Sequence, residues 1–351
     1  MSDISTAWLK PYLEGKEREK MRLLYFTDTH LRGNTPQSRL DNLPETLKSK
    51  LEEVVKLAAD LKVDYILHGG DFFDSPSPSL AVSGDLLECF RQFSCPVYAI
   101  SGNHDLFGGN IHSLNRTLLG FLHRLGFIRL VLPGEKIYLK KHDTVLQLTG
   151  QPYHYEIDQR DPHLDYAVKK ENADLALHMV HGMLLERPLP KEANFTLIDR
   201  IKDTEADITL CGHYHSGLGI IEKEGKIFAN PGALVRLSND KQEMTRRVGV
   251  ILVKLEGEKP VCEFIPLISA RPGNEVLTRE EIEHRSDLRI KLANFIKEVR
   301  QNAEFERMNA RRIIEEIARG EAIDKEAKEE ALKRIAWVEE ELRSKRVREI
   351  R

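Results

Sequence analysis

The sequence predicts an α/β protein, and three observations carry that prediction. Short apolar runs recur at 23–26, 65–67, 97–100, 175–180 and 208–211, each with the look of a buried strand. Between the first two lies Leu43 to Leu61, with apolar residues at helical spacing: Leu47, Leu51, Val54, Val55 and Ala58. Strand, long helix, strand is the order of a βαβ crossover in a parallel sheet. Finally, every one of the five runs ends in a polar block, at the strand edge where open α/β sheets carry their ligands.

The chain has 351 residues, 41% of them hydrophobic and 31% charged, enough for one large domain with an appendage or for two domains. Its formal net charge is −3, so global charge gives no argument for nucleic-acid binding, and any such surface must be local. Cys89, Cys95, Cys211 and Cys262 sit in apolar contexts without a C-x-x-C pair. They read as reduced core thiols of a cytoplasmic protein. No stretch reads as a signal core or a membrane span.

Residues 1–20 form an N-terminal extension ahead of a first strand beginning at Met21. After the Leu43–Leu61 helix and the second strand, Ser75-Pro76-Ser77-Pro78 makes a rigid loop. Ser79 is placed to cap a helix from Leu80 to Phe93. A third strand follows at Val97. Ile111 to Leu125 reads as a leucine-rich helix, suited to the core or to a subunit interface. Phe127–Val131, Ile137–Leu139 and Val145–Leu148 read as short antiparallel strands, and Gln151–Arg160 as a polar, aromatic loop near the site. A helix is expected around Leu197 to Ile201. Beyond Gly212 the chain turns β-rich, with a Glu224-Gly225 turn and a hairpin of Val248–Leu255 and Val261–Ile265. Arg271-Pro272-Gly273-Asn274 marks a boundary, giving a domain over 21–273 and a helical region over 274–351. In that region Gly320 separates two amphipathic stretches and Asp324 caps the second.

The chemistry lies in the five blocks: Asp28-Thr29-His30, Gly69-Gly70-Asp71, Gly102-Asn103-His104-Asp105, His181-Gly182 and Gly212-His213-Tyr214-His215. Any one could be an ordinary polar turn; five in order are not expected by chance. Carboxylates mixed with imidazoles suit manganese, iron or zinc, not calcium, and the absence of thiolates excludes a structural zinc site. Asp28, His30, Asp71, Asn103, His181, His213 and His215 make seven candidate ligands, more than one ion needs. Two ions sharing one carboxylate fit that number, and such a pair, about 3.5–4 Å apart, clamps a phosphate. His154, His163 and His178 fall outside the blocks and read as surface or core residues.

The ordered set D-x-H, G-D, G-N-H-D, H, G-H-x-H, spanning roughly residues 21 to 235, resembles the calcineurin-like metallophosphoesterases. That resemblance implies a four-layer α/β/β/α sandwich, here with a C-terminal α-helical appendage. It implies a first metal on Asp28, His30 and His215, and a second on Asn103, His181 and His213. Asp71 would bridge the two. His104 would assist the leaving group with Asp105 orienting its ring. No arginine follows the Gly70-Asp71 block, unlike protein phosphatases of this fold. Asp28-Thr29-His30-Leu31 and Gly70-Asp71-Phe72-Phe73-Asp74 are similar to DNA-repair nucleases of the SbcD and Mre-eleven type, with Asp74 as in the bacterial members. The implied activity is a manganese-dependent nuclease on DNA ends, with iron or zinc as other metals. The implied partners are duplex DNA ends, a second copy of the chain paired through Leu80–Phe93 and Ile111–Leu125, and an SMC-like ATPase gripped by the C-terminal helices. A phosphodiesterase or phosphatase for small molecules or nucleotides is the alternative. A metal-free scaffold fits poorly with seven intact ligands.

Overall fold

The computed structural model describes residues 21–189, 193–256, 259–278, 324–334, 337 and 338. The chain divides into two compact units, Met1–Arg279 and Glu280–Arg351. The expected extension over 1–20 and most of the expected helical region over 274–351 lie outside the described residues.

The first unit begins β1 (Met21–Phe26), α1 (Leu43–Asp60), β2 (Tyr65–His68), α2 (Leu80–Phe90) and β3 (Val97–Ala99). It continues through α3 (Leu118–Arg124), β4 (Arg129–Leu130), β5 (Lys136–Lys141), β6 (Thr144–Gln151), α4 (His163–Tyr166) and β7 (Leu175–Val180). It closes with β8 (Leu184–Leu185), β9 (Thr196–Leu197), β10 (Ile208–Cys211), β11 (Gly219–Lys223), β12 (Lys226–Asn230), α5 (Lys241–Thr245), β13 (Gly249–Glu256), β14 (Lys259–Pro266) and α6 (Gly273–Val276). One mixed sheet runs β14-β13-β1-β2-β3-β4 and a second runs β11-β12-β10-β7-β6-β5. β1 to β4 are mutually parallel, as are β6, β7, β10 and β12; antiparallel strands close three of the four sheet edges, and the parallel β4 forms the fourth.

The period-two alternation of β1 distributes its side chains between two cores. Met21, Leu23 and Tyr25 meet Leu177, Met179 and Leu210 of the second sheet. Leu24 and Phe26 face the helices, against Leu47, Leu51 and Val54 of α1. Burial on both faces explains why these strands read as continuous apolar runs. A thinner core with Tyr166, Val180, Ile198 and Phe228 covers the outer face of the second sheet. The layers are therefore helices, sheet, sheet and a slight fourth layer of short helical turns. Truncating Leu23 or Leu177 between the sheets would cost about 2–5 kcal/mol, and those sheets hold the strand ends discussed below.

The helix starts follow their capping residues. Asn42 Oδ1 accepts from the Glu45 amide at 3.4 Å at the start of α1, and Ser79 Oγ accepts from Val82 at 3.4 Å at the start of α2. Elsewhere the structure corrects the sequence reading. α2 stops at Phe90 rather than Phe93, where the Gln92 and Phe93 amides bond three residues back. The expected Ile111–Leu125 helix is broken at Thr117, whose backbone is extended (φ −101°, ψ 160°). A 3-10 turn, Ile111–Arg116, precedes the break, and Thr117 Oγ1 then caps α3 by accepting from Gly120 at 3.1 Å. β4 pairs parallel with β3, not antiparallel, because α3 carries the chain back to the start of the sheet. The expected helix at Leu197–Ile201 is a single 3-10 turn, Ile198–Arg200. The first unit also extends past residue 273: Val276 and Leu277 are buried, and Thr278 donates its amide to Ser38.

In the second unit, residues 325–334 are helical, and Asp324 caps them by accepting from the Glu326 amide at 3.4 Å. No helix among the described residues is long and apolar enough to cross a membrane. All four cysteines are free thiols.

Candidate metal centre

Five parallel strands, three from the first sheet and two from the second, bring their C-terminal ends to one place. Asp28 and His30 follow β1, Asp71 follows β2, Asn103 and His104 follow β3, His181 follows β7, and His213 and His215 follow β10. Four of the seven candidate ligands, Asp28 (φ 51°), His30 (φ 41°), Asp71 (φ 51°) and His213 (φ 71°), have left-handed backbones. That conformation costs a residue with a Cβ roughly 1–2 kcal/mol and gathers where surrounding structure enforces it. Here the enforcement is a set of crossed hydrogen bonds. The Asp28 amide donates to Gly70 O at 3.0 Å and the His30 amide to Asp71 O at 3.0 Å. The His213 amide donates to the Asp28 carboxylate at 3.1 Å, and the His104 amide to Asp71 Oδ1 at 2.8 Å. Gly102 is required by proximity, since a Cβ there would lie 2.1 Å from Asp71 Oδ1. Gly70 combines φ +99° with a similar approach to His181.

The predicted His and Asp ligands form two clusters that share Asp71, and His30, Asp74 and His104 make a third group at the rim. Asp28, His30, Asp71 and His215 can each direct one ligand atom into a space where all such atoms lie within 4.8 Å of one another, and so can Asp71, His181 and His213. His30 Nε2 is 3.1 Å from His215 Nε2, which is 3.5 Å from Asp28 Oδ1. Asp71 Oδ2 is 3.4 Å from His30 Nε2 and 3.3 Å from His181 Nε2. Asn103 Oδ1 lies 3.3 Å from His181 Nε2. Asp71 belongs to both clusters, and its Oδ2 is buried without a hydrogen bond. A buried carboxylate oxygen left unpaired costs about 1–3 kcal/mol or more. Oxygens and imidazole nitrogens turned toward a common space are the donor set of a bound cation, so the residues fit divalent metals.

His104 stands at the exposed rim. Its Nδ1 lies 3.1 Å from the Asp74 carbonyl, an acceptor, so Nδ1 carries the proton and Nε2 is left for chemistry. Asp105, expected to orient this ring, does not. It is buried and accepts from the amides of Phe72 (3.1 Å), Phe73 (3.0 Å) and Gly102 (2.9 Å). It ties the β2 and β3 loops together, and the Asp74 carbonyl holds the histidine instead.

The profile of the calcineurin-like phosphoesterases matches residues 21–217, more than half of the chain and all five blocks. The chain belongs to that family. Its members bind two divalent metal ions, and the two clusters are this chain's candidate ligands. The chain is 23% identical over 315 residues to the double-strand break repair protein mre-11 of Caenorhabditis elegans, covering 72% of this chain and 42% of that one. It is 25% identical over 284 residues to the DNA double-strand break repair protein Mre11 of Archaeoglobus fulgidus, covering 76% and 62%. It is also 25% identical over 175 residues to the uncharacterized metallophosphoesterase YhaO of Bacillus subtilis, covering 47% and 41%. The chain thus spans between two-fifths and about three-fifths of the length of these relatives. The Mre11 similarity supports the DNA-repair nuclease branch of the phosphoesterases.

The electrostatics of this phosphoesterase site are set by its carboxylates. Burial works against charge on His30, but the surrounding carboxylates of Asp28, Asp74 and Asp71 outweigh it and raise the imidazole to about 10. Burial is likewise overcome at His181, which Asp71 raises to about 9. His213 is lowered to about 4 by burial and by neighbouring His181. Asp28 is held well below the usual carboxylate range, since its histidine partners overcome the cost of burial. The Asp105 carboxyl is pushed up to about 7 by burial and by Asp71, against the pull of its three amides.

The structure also shows what the sequence left aside. His154 pairs with Asp165 at 2.9 Å, His163 is exposed between Asp161 and Asp203, and His178 is a core residue, so none joins the clusters. Asp74 was notable only as a branch marker. Its Oδ1 is 3.7 Å from His30 Nδ1 and its Oδ2 3.1 Å from Arg32. Tyr153 packs its ring 5.7 Å from that of His213 and 6.3 Å from that of His181. Its only signal was membership of the polar, aromatic Gln151–Arg160 loop. A cavity of about 220 Å³ opens beside His213 and His215, with Ser216, Ser238 and Asp240 on its wall.

Proposed function

We propose that this chain is a metal-dependent phosphodiesterase that cuts DNA at or near strand ends. The observation that carries the chemistry is the double membership of Asp71, a carboxylate poised between two ligand sets. The observation that favours DNA over other esters is the run of double-strand break repair proteins among its relatives.

On this reading Asp28, His30 and His215 hold one ion, Asn103, His181 and His213 the other, and Asp71 both. When bound, such a pair polarises a phosphate ester and makes water a stronger nucleophile at neutral pH. The chain does the rest. The stitched loops fix the ligand positions before substrate arrives. His104, its Nδ1–H held by the Asp74 carbonyl, acts as a general acid in its imidazolium form, giving the Nε2 proton to the departing oxygen and being left neutral. Manganese suits this mixture of hard carboxylates and imidazoles, with iron or zinc as competitors.

The test is release of nucleotides from linear duplexes and single strands, with and without manganese, beside turnover of bis-p-nitrophenyl phosphate. Cleavage of DNA supports the reading. Turnover of the small ester with every DNA left intact would replace it by a small-molecule phosphodiesterase.

The assembly proposed with this activity is a homodimer and a complex with an SMC-like ATPase. Leu80, Phe121, Leu125 and Phe127 are exposed on or beside α2 and α3, which favours pairing of that surface with a second copy. Light scattering at micromolar concentration should give twice the chain mass. Trp337 and Val338, exposed in the second unit, favour a partner helix there. Removing residues 280–351 should abolish co-purification with the ATPase and spare cleavage of short substrates.

A further inference from the structure

The loop carrying Asn103 and His104 continues into an exposed aromatic surface that the proposed chemistry does not use. Phe107 begins a 3-10 turn, Phe107–Gly109, two residues past Asp105. Its ring is 43% exposed, and the Arg116 guanidinium lies 5.8 Å from the ring centroid. The turn is fixed at both ends: the Phe107 amide donates to Ser113 Oγ at 2.9 Å and the Asn110 amide to Phe107 O at 3.2 Å. At its far end Gly109, with φ +65°, rests on Tyr153, where a Cβ would come within 2.8 Å of Cε1. Tyr153 is the aromatic ring beside His181 and His213. One rigid turn therefore joins Phe107 to the ring that borders the ligands.

Phe107 leaves nearly half of its surface in water beside the edge that carries the ligands. A planar, electron-rich ring with a guanidinium against it is the surface on which nucleobases stack, through π contact and cation–π attraction. From Asn103 to Phe107 the chain spans at most about 14 Å, so a strand with a phosphodiester at the ligand clusters has its neighbouring base within reach of this ring. We propose that Phe107, held by Arg116, and Tyr153 form a stacking platform for an unpaired nucleobase adjoining the scissile phosphodiester. This rests on the phosphodiesterase reading above and refines its substrate class to diesters that carry a free base, such as a frayed or single-stranded end.

The experiment uses the full chain with manganese and two small diesters, thymidine 5′-(p-nitrophenyl phosphate) and methyl p-nitrophenyl phosphate. They share a leaving group and differ in the nucleoside, whose base is the part that can stack, so the Phe107-dependent part of the difference reports the base. The quantity read is the ratio of their kcat/KM values. The wild-type ratio should exceed one by about tenfold, the worth of one stacked base. Phe107→Ala should bring it close to one, and Phe107→Trp should restore it. Because the ring is exposed, Phe107→Leu serves as a second variant that keeps the local packing, and it too should lose the ratio. A wild-type ratio of one, or a ratio that survives Phe107→Ala, overturns the platform. Failure of the nuclease reading looks different: a strong preference for the thymidine ester that depends on Phe107, with DNA left uncut, keeps the platform and moves the substrate to nucleotide diesters.

Discussion

His30 and His181 are as deeply buried as His68 and His178, and the two pairs are built in opposite ways. His68 spends both ring nitrogens on its neighbours, Nδ1 accepting from the Gly70 amide at 3.2 Å and Nε2 meeting Thr29 Oγ1 at 3.2 Å. His178 does the same, with Thr149 Oγ1 at 2.8 Å and the Asp165 carbonyl at 2.9 Å. Burial lowers these two imidazoles to about 3 and about 4, so both are neutral and fully engaged. His30 and His181 instead set Nε2 against Asp71 Oδ2, and carboxylates raise them to about 10 and about 9. Depth therefore does not distinguish a ligand from a core histidine. What distinguishes them is whether Nε2 is spent on a hydrogen bond within the core or faces a buried carboxylate oxygen that has no hydrogen-bond partner.

The largest break in this comparison is Asp71→Asn. It keeps the shape and removes the charge that both clusters share. Loss of phosphodiester cleavage by about a thousandfold or more is expected, the scale of several kcal/mol of charge stabilisation. Metal content, measured on purified protein, should fall with it. A variant retaining full activity would sink the shared-carboxylate arrangement. His213→Ala should act in the same direction through one cluster.

Next in size is His104→Ala. This residue lies outside both ligand sets and works through Nε2, so the expected loss is about 10²–10⁴ in kcat with metal content unchanged. A substrate with a good leaving group needs less protonation, so p-nitrophenyl esters should suffer less than DNA. If metal content drops in parallel with activity, His104 is a ligand instead.

How much of this was legible beforehand differs between strands and turns. The parallel strands were visible because burial on both faces makes their runs apolar throughout, and the ligands were visible because each closes such a run. The break at Thr117 was not, because Ile111 to Leu125 keeps its leucines at helical spacing across it while the Thr117 backbone is extended. A single capping hydroxyl outweighed the periodicity. The role of Asp105 was misread for a related reason. Adjacency to His104 suggested side-chain contact, yet successive side chains leaving a turn face different ways, and the carboxylate meets three amides from two loops. Asp74 contributes through its carbonyl as much as through its side chain, and backbone acceptors carry no sequence signal.

Asp105→Asn tests that reassignment with an intermediate effect. The amide group would turn an N–H toward at least one of the Phe72, Phe73 and Gly102 donors, leaving a buried donor unsatisfied at about 1–3 kcal/mol. Thermal unfolding should come earlier in metal-free protein, and activity should fall on DNA and small esters alike. A fall in DNA cleavage with unchanged stability would instead return Asp105 to the service of His104.

The smallest effect is at His178, and it is read in pH. The folded imidazole sits at about 4, below the ordinary value of 6.5, so the unfolded chain binds the extra proton between those limits. Stability is then full above about 6.5 and is lost as pH falls toward 4, by about 3 kcal/mol over the whole window. His178→Gln keeps a polar group between Thr149 and Asp165 but cannot titrate. Near pH 7.5 it should cost about 1 kcal/mol for imperfect hydrogen bonds. At pH 5 the wild type has lost about 2 kcal/mol that the variant keeps, so the difference between them should reverse. Urea unfolding at the two pH values, in excess chelator so that no ligand histidine contributes through metal, measures this directly. An identical deficit at both values would mean that His178 titrates in the fold as it does in the unfolded chain, and that the boundary between core and ligand histidines drawn above lies elsewhere.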